Sequence, residues 1–508
     1  MSTEAVKKAK DPGDPGFSTS KLIAIIIAAL VFLFFQFVCP VPAGLGRTAM
    51  SAVGILLCCI ILWVTEAMPF IVTVVLIFFL MPITGVIPYS SVTGTLDGSV
   101  LSKTGAVLAE AGKTVTVTNS EFNSSSLLVP IYCLFVFTVS GAVMSTPMPF
   151  RVARAALKWS GANSKKLVIG LMFVTSVMSM FISDLAASAI FIGIGLSIVE
   201  ANGGVKGESP LAKSLTIGIA AAAAIGGIGT PIGNSLNILC MTMVQQYMGT
   251  NITFLAWCIM NIPLAIVVSL LAGLYSSRAW KVEEISPEAL QVVEDKLASY
   301  GKMTPREIKL IVWFVIAFGL MILSTWFPIN SMLVAFAATV IAFIPGIGLL
   351  TKDAFHKSIA WEIIMMIIGV QNIANGLVGT GVATWFVNLA FAGAASWPAM
   401  LTIFVMCVIT MILHIAIPVG PPTVSVAVPL MVAVAAVVPG INGGVIAEIG
   451  GVMGAVTTWL PIDSIMMLTY EQGWITMKEW VSKSWVNTII LLICQWLWAP
   501  LITGIMGL

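Results

Sequence analysis

Apolar stretches long enough to cross a lipid bilayer recur along this chain from Lys21 almost to Leu508. A helix needs about 20 mostly apolar residues to span roughly 30 Å of hydrocarbon. Only 9% of the residues are charged, against roughly 25% in soluble domains. We therefore expect an all-α polytopic membrane protein with one integrated membrane domain and about 11 transmembrane helices.

Lys and Arg cluster in two of the loops between these stretches. One loop runs from Arg151 to Lys166 and the other from Arg278 to Lys309, and the positive-inside rule predicts that both are cytoplasmic. The polar stretch 85–128 holds only two lysines and is predicted to face outward. The compact loops and this charge placement favour the inner (plasma) membrane of a bacterium. The net charge of +2 gives no electrostatic footprint for nucleic acid.

Residues 167–202 start and end beside basic segments that should both be cytoplasmic. Two half-length helices that turn back within the membrane satisfy this constraint, so we expect a re-entrant hairpin. Its tip is Phe181–Ser188, where Asp184 is an acid in the middle of an otherwise apolar stretch. Ionisable groups at membrane depth are costly and mark functional sites.

The next apolar span, 214–247, is interrupted at Gly226–Asn237 by four glycines and Pro231. Glycine and proline do not hold a regular helix. Unwound backbone at membrane depth is tolerated only where it lines a cavity or is buried in protein. The structural alternative is close helix packing through small residues. The run lacks the Gly-Lys-Ser/Thr ending of a phosphate-binding loop, so it predicts no nucleotide site.

The second half of the chain repeats this plan in the opposite orientation. A span at 360–378 and an amphipathic segment at 382–394 precede a second hairpin at 398–437, with its tip at His414–Thr423. A second interrupted span, 441–470, breaks near Asp463. Paired broken helices in two inverted halves are typical of secondary transporters with a site at the membrane midplane. A channel would not need this arrangement.

The domain organisation follows from these segments. We expect a cytoplasmic tail, scaffold helices with an outer loop, a first inverted repeat, a cytoplasmic linker, linking helices and a second inverted repeat. Their predicted bounds are 1–20, 21–128, 129–277, 278–309, 310–359 and 360–508. The chain has only two histidines, His356 and His414, and no metal-ligand spacing, so we expect no enzyme and no cofactor.

Five segments, in this order and spacing, resemble the divalent anion/sodium symporter family, which carries succinate, citrate, tartrate and sulfate. They are Trp63–Pro69, Ser183–Ser188, Gly226–Asn237, Lys302–Glu307 and Gly473–Lys478. The resemblance covers nearly the whole chain. It implies a lipid-embedded homodimer in which a mobile unit of each protomer carries a small organic anion across the bilayer, an elevator mechanism. It also implies Na⁺ as the coupling ion.

Each hairpin tip of that family bears a Ser-Asn-Thr motif that holds substrate carboxylates and helps to ligate sodium. Here the first tip reads Ser183-Asp184-Leu185 and the second reads Val419-Gly420-Pro421. Three roles are open for Asp184: a sodium ligand, a protonatable group, or a partner for a cationic group on the substrate. An obligate anion exchanger and a proton-coupled carrier are therefore alternatives to a sodium symporter of di- or tricarboxylates.

The candidate residues come from the tips and the breaks. Those predicted to bind substrate are Ser183, Asp184, Thr230, Asn234, His414, Gly420, Thr423 and Ser425. Those predicted to ligate sodium are Ser183, Asp184, Gly229 and Asp463. Asp463 has a structural alternative as a helix cap, and His414 as a neutral buried ring. Glu66 follows a span end and precedes Pro69, and we interpret it as structural.

Overall fold

The computed structural model describes residues 19–87, 100–101, 107–109, 128–249, 251–344, 346–391, 396–417 and 419–506. Nearly all of the predicted N-terminal tail and most of the predicted outer loop lie outside this part of the chain. Two short antiparallel strands, β1 (Val100–Leu101) and β2 (Val107–Ala109), pair with Val100 opposite Ala109. The rest of the described chain consists of helices and the loops between them, which confirms the all-α fold class.

The helices fall into two halves on either side of a linker. Those before the linker are α1 (Thr19–Leu33, continued by a π-turn over Phe34–Val38), α2 (Arg47–Val64), α3 (Phe70–Ile83), α4 (Leu128–Met144), α5 (Met148–Ser160), α6 (Ser164–Ser179), α7 (Asp184–Ala201), α8 (Pro210–Gly227), α9 (Ser235–Met248) and α10 (Phe254–Ala279). The linker helix is α11 (Pro287–Ala298).

The helices after the linker complete the fold. They are α12 (Pro305–Leu323), α13 (Ser331–Ala342), α14 (Lys352–Ser358), α15 (Trp361–Gly379), α16 (Val382–Ala390), α17 (Ala399–Ala416), α18 (Gly420–Val437), α19 (Gly443–Ala455), α20 (Ser464–Tyr470) and α21 (Met477–Met506). Of the described helices, nine are long and apolar enough to span a membrane, or ten if α4 and α5, bent by 66°, count as one span. Three shorter apolar helices, α3, α13 and α19, accompany them.

The first hairpin, α6 and α7, has both ends on the same side of the molecule. The Ser164 hydroxyl at the start of α6 donates to the Glu283 carbonyl, and the Asn202 amide after α7 donates to the Glu284 carbonyl at 3.0 Å. Both arms therefore start and end at one segment of the linker. The basic loops meet on this side too, because Arg151 pairs with Glu307 at 2.7 Å.

The second hairpin, α17 and α18, enters from the opposite side. Helices α8 and α21 start together, because Lys213 pairs with Glu479 at 2.6 Å. The far end of α21 carries Trp496, whose indole donates to the carbonyl of Met400 at the base of α17 at 2.8 Å. Helix α21 thus starts on the side of the first hairpin's base and reaches the base of the second hairpin near its far end. The two bases therefore lie on opposite sides of the molecule.

Local sequence explains where the helices begin. Asn163 caps α6 by accepting from the Lys166 amide at 2.9 Å, and Thr304 with Glu307 forms a capping box at α12. Both use a side chain to satisfy amides that have no partner inside the helix. The apolar interior is divided, because α2, α3 and one face of α15 share a core of their own, while Ile364, Ile367 and Ala374 of α15 belong to the main one.

Candidate functional site

Two hydrogen bonds at Asp184 join the first hairpin tip to the first helix break, and a third lies within the tip. The Asp184 amide donates to the Gly233 carbonyl at 3.3 Å. The Asn234 side-chain amide donates to Asp184 Oδ2 at 2.6 Å, and the Leu185 amide donates to Asp184 Oδ1 at 2.8 Å. Asp184 is only 9% exposed. The carboxylate thus accepts a hydrogen bond on each oxygen and is held between tip and break.

Glycine is required where the break approaches the hairpin. A Cβ on Gly226 would lie 2.2 Å from the carbonyl oxygen of Ser176, and one on Gly233 would lie 2.6 Å from that of Ser179. Both contacts are with backbone, which cannot turn away as a side chain can. The glycine run therefore serves close backbone packing as well as the unwinding that the sequence predicts.

Thr230 fastens the break to the first hairpin, and Asn237 fastens the break internally. The Thr230 hydroxyl donates to the Met180 carbonyl, and the Asn237 amide donates to the Gly227 and Thr230 carbonyls at 2.8 and 2.7 Å. Neither side chain borders the cavity described below. Thr230, which is predicted to bind substrate, thus lies behind the cavity wall. Gly229 lies there too, and a Cβ added to it would be 2.9 Å from the Met180 side chain.

The second hairpin tip is built from apolar and backbone groups. A Cβ on Gly420 would lie 2.6 Å from Leu236 Cδ1, so this tip contacts the start of α9. The Thr423 hydroxyl donates to the Ile417 and Val419 carbonyls at 2.9 and 3.0 Å. Thr423 therefore closes the tip itself and does not border the cavity.

Asp463 lies in the second break and caps α20. Its Oδ1 accepts a hydrogen bond from the Ser464 amide at 2.6 Å, so Asp463 is a helix cap, as the structural interpretation predicts. The side chain also borders the cavity. The two interpretations of Asp463 are therefore compatible.

His414 and Ser425 are buried and lie outside the cavity lining. Both ring nitrogens of His414 and the Ser425 hydroxyl have no hydrogen-bond partner in the described part of the chain. Neither residue can contact a molecule in the cavity in this conformation.

Both tips and both breaks meet at one cavity of about 290 Å³. Five of the predicted site residues border it: Ser183, Asp184, Asn234, Gly420 and Asp463. The other described residues at its wall are Glu66, Phe70, Val136, Phe137, Gly233, Ser235, Leu236, Glu362, Ile363, Met366, Val419, Pro421, Ile462, Ser464, Ile465 and Met467. Four segments that are far apart in the sequence thus form one chamber.

Four carboxylates border the cavity: Glu66, Asp184, Glu362 and Asp463. None of the described lining residues is Lys, Arg or His. Glu66 has φ = 46°, and no other described residue except glycine has a positive φ. Such backbone strain is concentrated at functional sites.

The sequence suggests a structural role for Glu66 and gives no expectation for Glu362. The signals in the chain are an acid beside Pro69 and an acid in the first turn of a span at residue 362. Neither signal says which way the side chain points. Only the fold brings these two acids to the cavity.

Five of the described helices have their first residue at the cavity wall, and three of them, α7, α9 and α18, belong to the two hairpins and the first break. Helix α7 begins there with Asp184, α9 with Ser235 and α18 with Gly420. A helix N-terminus carries roughly half a positive charge, which favours bound anions. In α7 the first two amides, of Asp184 and Leu185, already donate to Gly233 and to the Asp184 carboxylate, so the contribution of α7 is its dipole. The cavity therefore combines amides that attract an anion with carboxylates that attract a cation.

A second cavity of about 320 Å³ lies beyond the end of α9, beside Thr242, Asn251, Ser324 and Asn330. Neither hairpin tip and neither break contributes to it, and none of its described lining residues is ionisable except Tyr132. The cavity between the tips is therefore the better candidate site.

Comparison with known proteins identifies the family of the chain. A family model described as the sodium:sulfate symporter transmembrane region matches residues 20–504. The chain is 27% identical to the sodium-dependent dicarboxylate transporter SdcS of Staphylococcus aureus over 398 residues, which cover 73% of this chain and 70% of the relative. It is 24% identical to a membrane protein of Cupriavidus necator over 424 residues, or 82% and 79% of the two chains.

Two solved transporters share the fold at low identity. MtrF of Neisseria gonorrhoeae has a TM-score of 0.54 at 13% identity, covering 93% of this chain and 97% of its own. The YdaH transporter of Alcanivorax borkumensis has a TM-score of 0.51 at 14% identity, covering 87% and 98%. The chain therefore belongs to the sodium:sulfate symporter family that its motifs resemble, and it is a multi-pass secondary transporter of the inner (plasma) membrane, not an enzyme.

Proposed function

We propose that this protein is a sodium-coupled carrier of a small di- or tricarboxylate, with the cavity between the two hairpin tips as its binding site. The observation that carries the proposal is the meeting of both tips and both breaks at one chamber. Such a chamber at the interface of inverted repeats is where secondary transporters bind their substrate. The similarity to a relative named as a sodium-dependent dicarboxylate transporter supports the same substrate class.

The helix ends favour an anion as the substrate. The N-termini of α7, α9 and α18 together supply about 1.5 positive charges, spread over backbone amides at the cavity wall. Asn234, Ser183 and Ser235 add polar side chains there. Carboxylate groups accept hydrogen bonds from such amides and hydroxyls, so a small dicarboxylate suits the polar side of this wall.

The buried carboxylate of Asp184 opposes anion binding unless a cation lies beside it, whereas Glu66 and Glu362 are exposed and their charges are screened by water. Two like charges about 4 Å apart repel by about 4 kcal/mol at an effective dielectric constant near 20. That energy corresponds to roughly a thousandfold loss in affinity. A cation bound beside Asp184 would remove this repulsion, so the affinities for cation and anion are coupled.

Sodium is the proposed cation at Asp184. Both carboxylate oxygens already accept hydrogen bonds, from Leu185 and Asn234, which is the pattern of an ionised carboxylate. A hard cation such as Na⁺ takes oxygen ligands from carboxylates and backbone carbonyls. Ser183, Gly229 and Asp463 remain the proposed further contributors.

An elevator movement is the proposed mode of transport. Helix α6 packs against α8 and α10, α10 packs against α21, and α9 packs against α18 and α19, so both hairpins and both breaks belong to one packed group. Helices α2 and α3 share a core with one face of α15, and α15 also contributes to the main core and packs against α18. This division supports a mobile group that moves against a scaffold and carries the cavity with it.

A homodimer embedded in lipid completes the proposal, on the strength of the family resemblance. The described outer helices expose large apolar side chains, such as Val312, Val315 and Leu333, which a bilayer or a partner protomer would cover. Chemical cross-linking in native membranes would test the dimer: a single protomer-sized band at every cross-linker concentration would exclude it.

Uptake into proteoliposomes tests the transport proposal. Radiolabelled succinate, citrate, tartrate and sulfate are offered with external Na⁺, with K⁺, with a proton gradient, or with internal unlabelled anion. We expect uptake of a dicarboxylate or tricarboxylate that requires Na⁺ and not internal anion. Uptake that requires only internal anion would make the protein an exchanger. Uptake driven only by the proton gradient would make it a proton-coupled carrier, and either result would overturn sodium coupling.

A further inference from the structure

A buried carboxyl group, Glu448, lies in the middle of α19 and takes no part in the site described above. All 13 residues of α19 are buried, and Glu448 is 0% exposed. It does not border the cavity. Arg151, Arg154 and Lys213 pair with other acids, and no described basic residue pairs with Glu448.

Two amide side chains from other helices surround this carboxyl group. The Gln495 amide of α21 donates to Glu448 Oε2 at 3.2 Å, and the Asn261 side chain of α10 also lies against the carboxyl. Both residues are 0% exposed. Three helices of the proposed mobile group thus direct polar side chains at one buried point.

Three oxygens at this point lack a donor. Glu448 Oε1, Asn261 Oδ1 and Gln495 Oε1 are buried without a hydrogen-bond partner in the described part of the chain. Buried acceptors without partners destabilise the folded state, and an unpaired buried charge destabilises it more. A group of acceptors around a carboxylate is what a bound cation would satisfy.

The remaining surroundings of Glu448 supply no positive charge. Its neighbours with ionisable side chains are Cys240 on α9 and Cys407 on α17. Helix α18, which also packs against α19, contains no charged or titratable side chain. The segments α9, α17, α18 and α19 carry no Lys or Arg. Helix α17 also carries His414, and α10 and α21 carry Arg278, Lys478 and Lys483. None of these four residues forms an ion pair with Glu448 in the described part of the chain, which leaves a cation from outside the protein to neutralise it.

We propose that Glu448, with Asn261 and Gln495, forms a binding site for one small monovalent cation, a proton or a sodium ion, separate from the substrate cavity. The site deepens the account of transport, because in the proposed elevator this cation would move with the mobile group. Binding itself does not depend on which anion is carried, so it is measured without transport.

The test is thermal unfolding of the full-length protein in detergent, followed by Trp fluorescence. Asp184→Asn serves as the background, because it removes the cavity carboxylate held between tip and break. In this background we expect a rise of about 2 °C or more in the midpoint temperature of unfolding in one of two experiments. In the first, Na⁺ replaces choline at constant pH, and in the second, the pH is lowered without Na⁺. The first response identifies sodium as the occupant and the second a proton.

Adding Glu448→Gln to that background should abolish the response, because the glutamine is neutral and needs no cation. The matched control Glu200→Gln removes one exposed carboxylate of α7 and should keep it. A response that survives Glu448→Gln, or no response to either cation in the background, would overturn the proposal.

Gln495→Leu keeps the test decisive if Glu448→Gln does not fold. Loss of a supporting side chain typically weakens ion binding by 10–100-fold. We therefore expect Gln495→Leu to raise the half-saturating cation concentration about tenfold, or to shift the pH midpoint by about one unit. An unchanged midpoint would overturn the proposal as well.

Discussion

The first hairpin tip meets its neighbouring break through polar groups, whereas the second tip meets the same break through an apolar contact. Asp184 accepts from Asn234 at 2.6 Å, while Gly420 approaches the Leu236 side chain. The two repeats share a plan, but only the first places a buried charge at the cavity. We therefore propose that the first tip provides the cation affinity and that the second provides a shaped wall and amides.

The backbone contacts at the first break should make it more sensitive to added side-chain volume than the second hairpin tip is. Gly226→Ala would place a Cβ 2.2 Å from the Ser176 carbonyl oxygen, and overpacking against backbone costs about 3 kcal/mol in unfolding free energy. Gly420→Ala, the control, would meet only the end of the Leu236 side chain, and should cost less than about 1 kcal/mol. Thermal unfolding measures both, and equal losses would contradict the comparison.

Asp184→Asn should weaken sodium binding strongly without removing the tip. A lost full charge on a sodium ligand is expected to cost about 3 kcal/mol, which raises the half-saturating sodium concentration for uptake about 100-fold. Glu200→Gln on the same helix removes an exposed charge and serves as the control. Unchanged sodium dependence in Asp184→Asn would show that the first tip does not hold the cation.

Asp463→Asn should have a smaller effect on the same measurement. Its Oδ1 caps α20 through Ser464, and asparagine can keep that cap. The half-saturating sodium concentration should rise about tenfold, because Asp463 is more exposed than Asp184 and its charge is screened more by water. A loss as large as that of Asp184→Asn would make the two repeats equal in cation binding.

Thr423→Val tests whether the second tip uses its hydroxyl for its own structure. The hydroxyl donates to two tip carbonyls, so its removal should lower the unfolding free energy by about 1 kcal/mol. Ser425→Ala on the same helix removes a hydroxyl without a described partner and should cost nothing. Equal stability of the two variants would contradict the structural role of Thr423.

The sequence predicted the hairpins and breaks well because their signals are local. Asp184 in an apolar stretch, and glycines with Pro231 in a span, each conflict with a regular membrane helix. Whether a residue borders the cavity or lies behind its wall could not be predicted in this way. Thr230 and Thr423 are tied to carbonyls that only the folded backbone brings near, and Glu66 reaches the cavity from a strained turn.

The most direct test of the site is a structure determined by cryo-electron microscopy in saturating Na⁺ and the transported anion. The account predicts anion density in the cavity between Ser183, Asn234 and Gly420, with a cation beside Asp184. Anion density in the cavity near Thr242 and Asn330, with the chamber between the tips filled only by water, would contradict it.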